Sequence, residues 1–121
     1  MIPNYQAFMR PFLEVAKAAS GKEVKLRDVI NQIADSFQLT EEERQERLPS
    51  GKQAVLDNLI GWARTYLTKA GLLEVTRRAH FVITERGQNA ISNPNTVIDN
   101  QYLKQFDEFI AFKDQKMGSL N

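Results

Sequence analysis

The chain has 121 residues, 42% of them hydrophobic, which suits one compact domain and is short for an enzyme that also carries a substrate domain. It has no cysteine and one histidine, His80, which excludes disulfides, thiolate metal sites and multi-histidine sites. We find neither a signal sequence nor an apolar run of the roughly 20 residues that span a bilayer, so we expect a cytoplasmic protein.

The formal net charge is only +1, but the charge is unevenly distributed along the chain. Residues 1–43 hold five Lys or Arg and seven Asp or Glu, whereas residues 44–91 hold eight and four. Residues 92–121 hold three and four. A local basic surface governs polyanion binding more than the total charge does, so the middle segment is the candidate for such a surface. Chance clustering of solvated charges is the alternative.

The first third of the chain has apolar residues at helical spacing in two places, separated by the short alternating stretch "EVKL". Pro11 lacks a backbone donor and divides a short first turn from the main helix, and Gly21 ends that helix. This region therefore predicts a kinked helix over 4–19, an edge strand over 23–26 and a second helix over 27–37.

Two capping signatures follow each other in the middle of the chain. Thr40 with Glu43 three residues later predicts the start of a short charged helix that Pro49 ends. Ser50 with Gln53 predicts the start of a long helix over 51–69. A helical wheel places its predicted core residues in one arc: Val55, Leu56, Leu59, Ile60, Trp62, Ala63, Tyr66 and Leu67.

The residues after the long helix predict a hairpin with a basic tip. Its strands are Leu72–Thr76 and His80–Ile83, which flank Arg77, Arg78 and Ala79. Thr84 then caps a short helix that extends to about Ile91. The polar run 92–96 predicts a linker, and the amphipathic run 98–114 predicts a last helix with an aromatic face.

This order of elements is that of a winged helix-turn-helix, in which the helix before the hairpin enters the DNA major groove and the hairpin forms the wing. The predicted fold class is mainly α with a small β-hairpin, followed by a C-terminal connector helix. We predict a winged-helix domain over 1–91 and a linker with an amphipathic helix over 92–121.

The outward face of the long helix is rich in medium-length hydrogen-bonding residues and poor in the Glu and Lys pairs of ordinary solvated faces. Gly61 lies on this face although glycine costs about 1 kcal/mol against alanine in a helix, which indicates close approach by another group. Neutral drift or a crossing helix is the alternative, and each polar residue taken singly is commonly just a surface group. The predicted DNA-binding residues are Lys52, Gln53, Asp57, Asn58, Gly61, Arg64, Thr65, Thr68, Arg77, Arg78 and His80.

The stretch "LPSGKQAVLDNLIGWARTYLTKAGLLE", with "LTEEERQERL" before it and "ITERG" after it, resembles the N-terminal domain of Mrr-like restriction endonucleases. The resemblance covers about residues 3–91, and "YLKQFDEFIAFKD" is similar to the connector toward their catalytic domain. It implies a DNA-binding winged helix of a system that cleaves foreign or methylated DNA. It also implies that cleavage belongs to a separate PD-(D/E)xK nuclease domain, which is missing here.

Three functional hypotheses follow. The preferred one is a double-stranded-DNA-binding domain of an Mrr-like restriction protein, without cofactor, metal or catalytic residues of its own, because the sequence holds no nucleophile and general-base set. The second is a winged-helix transcription regulator that forms a homo-oligomer through helix 98–114. The third is a protein-interaction module that never contacts nucleic acid.

Overall fold

The structure, a computed structural model, describes residues 2–118, with side chains through residue 115. Residues 1 and 119–121, the outer ends of the two predicted domains, lie outside the described residues. A 3-10 turn, Tyr5–Phe8, precedes ten regular elements. They are α1 Met9–Ala18, β1 Val24–Lys25, α2 Leu26–Ser36, α3 Glu41–Gln45, α4 Val55–Lys69, β2 Leu73–Arg77, β3 His80–Ile83, α5 Glu85–Ala90, α6 Asn100–Leu103 and α7 Asp107–Gly118.

The described chain is mainly helical with one small antiparallel sheet, as the sequence predicted. The sheet has the order β1-β3-β2, so the two-residue strand β1 is an edge strand beside the hairpin. Phe81 lies on the central strand, where it is paired with Val24 and Val75 and is 1% exposed. Helices α1 and α4 pack against this sheet, and one apolar core joins all of these elements.

The N-terminal helix is divided, but not at the proline. The 3-10 turn ends at Phe8, α1 begins at Met9, and Pro11 lies within the first turn of α1. A backbone amide in the first turn has no intrahelical partner, so proline is tolerated there without loss of a hydrogen bond. The predicted short first turn is therefore confirmed, and its boundary is two residues earlier.

The start of α4 differs from the prediction. Ser50 and Gln53 do not form a capping box, and α4 begins at Val55 after Ala54, which makes no side-chain cap. Gly51 adopts a left-handed conformation with φ of 73° and donates its amide to Leu48 O at 2.8 Å. These backbone bonds close a loop over 48–53, because the Gln53 carbonyl also accepts from Leu48 N at 3.0 Å. Ser50 Oγ accepts the Lys52 amide at 3.4 Å, but no helix starts there.

The inner face of α4 agrees with the predicted arc except at its edge. Leu56, Ile60, Ala63, Tyr66 and Leu67 are buried, whereas Trp62 is 41% exposed. Trp62 lies at the margin of the apolar arc on the helical wheel, where the core no longer covers the side chain. The prediction of Trp62 as a core residue was wrong, and its indole adjoins the outward face instead.

The predicted last helix over 98–114 is two helices. Asp99 caps α6 by accepting the Tyr102 amide at 2.9 Å, and α6 ends at Leu103 before α7 begins at Asp107. The break follows from tight backbone bonds, such as Phe106 N to Leu103 O at 3.1 Å, which end the first helix. The aromatic face packs within the chain, since Phe109 is fully buried against Tyr66 with ring centroids 5.5 Å apart.

The predicted linker over 92–96 is bonded to α1 through one side chain. The Arg10 guanidinium donates to the carbonyl oxygens of Ile91, Asn93 and Thr96 at 3.2, 3.1 and 2.6 Å. Ile98, directly after this stretch, is 3% exposed in the same core as the winged helix. The division into domains at residue 91 stays a prediction.

Alanine substitutions at two helical glycines should have opposite effects on the free energy of unfolding. A Cβ on Gly87 of α5 would lie 2.2 Å from the Leu72 carbonyl oxygen, whereas one on Gly61 of α4 would meet only Arg64 Nη2, at 3.7 Å. We expect Gly87→Ala to lower the free energy of unfolding by at least about 2 kcal/mol and Gly61→Ala to raise it by about 0.5–1 kcal/mol. Urea denaturation of the three proteins measures both changes, and equal changes would contradict the packing described here.

Candidate nucleic-acid interface

The outward face of α4 carries an open concavity, which we call the α4 concavity. Gly61 is one of its lining residues, and the absence of a side chain lowers the helix surface there. The residues that line it are Gln53, Asn58, Gly61, Trp62, Arg64 and Thr65. Five of these six residues were predicted as DNA-binding residues, and Trp62 was not. Because Lys52 and Gln53 belong to the loop over 48–53, they lie before the helix rather than on its face.

No close contact within the described chain excludes a larger residue at position 61. Apart from its own helix backbone and chain neighbours, only Arg64 Nη2 lies within 4 Å of a Cβ built on this glycine. A crossing helix, one of the alternatives for this glycine, is therefore absent among residues 2–118. The Gly61 carbonyl accepts hydrogen bonds from Arg64 Nε at 3.2 Å and Thr65 Oγ1 at 3.0 Å.

Arg64 connects the α4 face with the sheet. Its guanidinium carbon lies 5.8 Å from the centroid of the Phe81 ring on β3, while its Nε is bonded to the Gly61 carbonyl. The terminal Nη groups make no hydrogen bond to the described residues. Arg64 therefore keeps its charge and two NH2 groups for a ligand, at the junction of α4 and the hairpin.

Asp57 is bound to a residue that the sequence did not indicate. Its carboxylate accepts from both terminal nitrogens of Arg27 on α2, at 2.6 and 3.3 Å. This fork-to-carboxylate pair raises the pKa of Arg27, and the Arg27 side chain is 55% exposed. Asp57 was predicted as a DNA contact, and the structure shows that Arg27 occupies its carboxylate. Sequence spacing carries no signal for this pair, because its partners are 30 residues apart.

Arg77, which ends β2, is paired, whereas Arg78 in the turn has no ion-pair partner among the described residues. Arg77 Nε donates to Glu23 Oε1 at 2.8 Å, and Arg77 Nη2 forms an ion pair with the same oxygen at 2.7 Å. The Thr76 hydroxyl donates to Glu23 Oε2 at 2.6 Å. The hydrogen bonds from Thr76 and then Arg77 lower the pKa of Glu23. Arg78 is exposed and forms no ion pair within the described residues.

His80 turns toward the tip rather than toward α4. Its Nδ1 lies 2.8 Å from the carbonyl oxygen of Arg78, and in the sheet it is paired with Lys25 on one side and Arg77 on the other. The structure thus brings together the hairpin residues predicted as DNA contacts. It adds the exposed Lys25 of the edge strand, which the sequence prediction did not include.

The profile of the Mrr N-terminal domain matches residues 5–93. The chain belongs to this family. A curated relative of this Mrr N-terminal domain is the type IV methyl-directed restriction enzyme EcoKMrr of Escherichia coli (strain K12), which is 30% identical over 101 residues. The match covers 83% of the chain and 33% of the relative, so the chain spans about a third of that enzyme's length. No solved structure matches the chain.

Two further properties of this Mrr N-terminal domain concern its described part. Among residues 2–118, no group of three or more His, Cys, Asp or Glu residues is arranged to hold a metal ion. None of the helices found there combines the length and apolar character needed to cross a membrane.

The Glu23 contacts predict a pH dependence of stability. Because the native pKa of Glu23 lies below the ordinary 4.5, its ionised form stabilises the fold fully above pH 4.5, and this contribution is lost as pH falls through the native pKa. Glu23→Gln should therefore be less stable than the parent at pH 7, and the difference should shrink below pH 4.5. Urea denaturation from pH 3 to 7 measures it. Glu74→Gln, an exposed site on β2, is the control, and a pH-independent difference would contradict the assignment.

Proposed function

We propose that this chain is the double-stranded-DNA-binding domain of an Mrr-like restriction protein, which recognises modified DNA and targets it for cleavage by a separate nuclease domain. Family membership and the relative's name, a methyl-directed restriction enzyme, support the restriction context. The observation that carries the DNA-binding proposal is the contact between the outward face of α4 and the hairpin. Arg64 lines the α4 concavity and lies over Phe81 of β3, the residue after His80, so the helix face adjoins the strand that begins at the basic tip.

In this proposal, α4 enters the major groove and the hairpin lies along the backbone, as in other winged helices. Asn58, Gly61 and Thr65 face the base edges, and Thr68 borders the backbone one turn further on. Arg64, Lys52 and the hairpin arginines bind phosphates. The Arg27 guanidinium offsets the Asp57 carboxylate, which would otherwise repel a phosphate backbone at this position.

The hydroxyl groups of α4 have a restricted role in this proposal. Thr65 donates to Gly61 O and Thr68 donates to Thr65 O at 2.8 Å, so both hydroxyls are left as acceptors. An acceptor on the groove-facing side suits the amino groups of adenine or cytosine and does not suit a phosphate. Thr68 therefore supports a phosphate contact only if its hydroxyl rotates away from the helix.

We propose that catalysis lies outside this chain and that α6 and α7 lead toward the nuclease domain. The chain matches one third of the relative, which leaves most of that enzyme's length beyond the match. The proposed setting is the cytoplasm, where such a protein would meet foreign DNA.

Homo-oligomer formation through residues 98–114, on which the regulator hypothesis depends, stays a prediction. Sedimentation decides it, and a monomer would remove that hypothesis.

The proposed function is tested by binding to matched 20-base-pair duplexes, methylated and unmethylated, at 50 and 200 mM salt. We expect binding to both duplexes at low salt, tighter binding to the methylated one, and a steep loss of affinity with salt as phosphate counterions are released. No binding to any duplex at 50 mM salt would contradict the proposal and favour a protein-interaction module. Equal affinities for the methylated and the unmethylated duplex would contradict only the proposed recognition of modified DNA.

The hairpin contacts predict unequal effects of its two arginines. Arg78→Ala should reduce the slope of log affinity against log salt by about 0.9, the value for one lost phosphate contact. Arg77→Ala should reduce it less, because Glu23 competes with the phosphate for Arg77 in the parent chain. Fluorescence anisotropy across a salt series measures the slopes. Lys104→Ala, a loss of positive charge on the side of α7, is the control, and an equal effect there would contradict the assignment.

A further inference from the structure

The hydrogen-bonding groups on the outward face of α4 are not equally available to a ligand. The Asp57 carboxylate is held by Arg27, and the hydroxyls of Thr65 and Thr68 donate to carbonyls of their own helix. Gly61 has no side chain. Asn58, one turn from the helix start, is the remaining residue of this face that can both donate to a base and accept from it.

Asn58 is oriented by the loop that precedes the helix. Its Nδ2 donates to Gln53 Oε1 at 3.3 Å, and both side chains line the α4 concavity. A primary amide has two N–H donors and one acceptor oxygen, so this bond leaves one N–H and Oδ1 of Asn58 for a ligand. Within the described residues, the Asn58 side chain makes no other hydrogen bond.

The free N–H and Oδ1 of Asn58 form one donor beside one acceptor, and the base edges in the major groove differ in how well they match this pair. Adenine presents the N7 acceptor next to an N6–H donor, which matches both free groups of Asn58. Guanine presents two acceptors, N7 and O6, so it needs two donors. Cytosine presents only a donor, and thymine presents an acceptor beside a methyl group.

We infer that Asn58 reads an adenine in the major groove and that Gln53 is the residue that positions it, an inference that rests on the proposed duplex binding. The Asn58 N–H donates to adenine N7 and Oδ1 accepts from N6–H. Gly61, three residues further along the same face, lets the helix approach the base pair closely enough for this contact. The loop over 48–53 fixes the amide plane before DNA binds, so less side-chain freedom is lost on binding.

The first experiment selects binding sites from 24-base-pair duplexes with ten randomised central positions, using the full 121-residue chain. Sites bound by the parent should contain adenine at one fixed position. Asn58→Ala should lose that preference, with about a 10- to 100-fold loss of affinity for the best site, and Asn58→Asp should prefer cytosine, whose amino group donates to a carboxylate. Asn89→Asp, the same change at an exposed residue of α5, is the control and should keep the adenine.

The second experiment tests the individual atoms. Replacing the selected adenine by 7-deazaadenine keeps its pairing with thymine and removes the N7 acceptor, so the parent should lose affinity at least about fivefold and Asn58→Ala should lose none. Gln53→Ala should weaken the preference for adenine over the other bases. Gln53→Glu keeps the acceptor and should retain that preference while its charge lowers affinity for all duplexes.

The outcomes separate this inference from the function on which it rests. A parent chain that retains no duplex from the library would remove the proposed function, and the inference with it. A parent chain that selects sites which Asn58→Ala and Asn58→Asp also select would overturn the inference alone. Circular dichroism of each variant checks that α4 is still folded, so that a lost preference is not a lost fold.

Discussion

Tyr66 joins both ends of the chain to α4, and the geometry of the proposed interface depends on it. Its ring contacts Tyr5 of the 3-10 turn at a centroid distance of 5.2 Å and Phe109 and Phe112 of α7 at 5.5 and 5.8 Å. These edge-to-face contacts each contribute about 0.5–1.5 kcal/mol beyond burial. Tyr66 also contacts Trp62 at 6.2 Å, which borders the α4 concavity. The inner face of α4 is therefore held by aromatic contacts from the 3-10 turn and α7, which sets the direction in which its outer face points.

Two carboxylates, Asp57 on the outer face of α4 and Glu23 beside the hairpin, are each bound to an arginine from another element. Asp57 binds Arg27, which joins the helix face to α2, and Glu23 binds Arg77, which joins the hairpin to the residue before the edge strand. Exposed ion pairs contribute little to stability, so their greater effect here is on the orientation and availability of the guanidinium groups. An arginine that is already bound to a carboxylate gains less binding free energy from a DNA phosphate than an unpaired arginine does, because its first contact must be broken. In the proposed complex with DNA, such pairs would reduce non-specific attraction and leave base discrimination to groups such as Asn58.

Sequence prediction succeeded where a few neighbouring residues decide the structure. The Thr40 and Glu43 capping box is formed as predicted, with bonds of 2.8 and 3.1 Å, and Thr84 caps α5 by accepting the Gly87 amide at 3.0 Å. Prediction failed at Ser50, although the same motif was present. There backbone bonds close the loop over 48–53 instead, and Gly51 takes part in its left-handed conformation. A capping motif predicts a helix start only when no competing partner is near.

The sequence by itself determined the order of elements through α5, the inner face of α4 apart from Trp62, and the family, because periodicity, caps and the stretch from Leu48 to Leu73 are local properties of the chain. It also indicated the outward polar face around Gly61. Only the tertiary structure decided which of those polar groups are free. Arg27 and Asp57 are 30 residues apart, and Glu23 and Arg77 are 54 apart, so their pairing depends on how helices and strands are packed. The same packing left Trp62 exposed at the margin of the predicted arc, and the loop over 48–53 brought Gln53 within hydrogen-bond distance of Asn58.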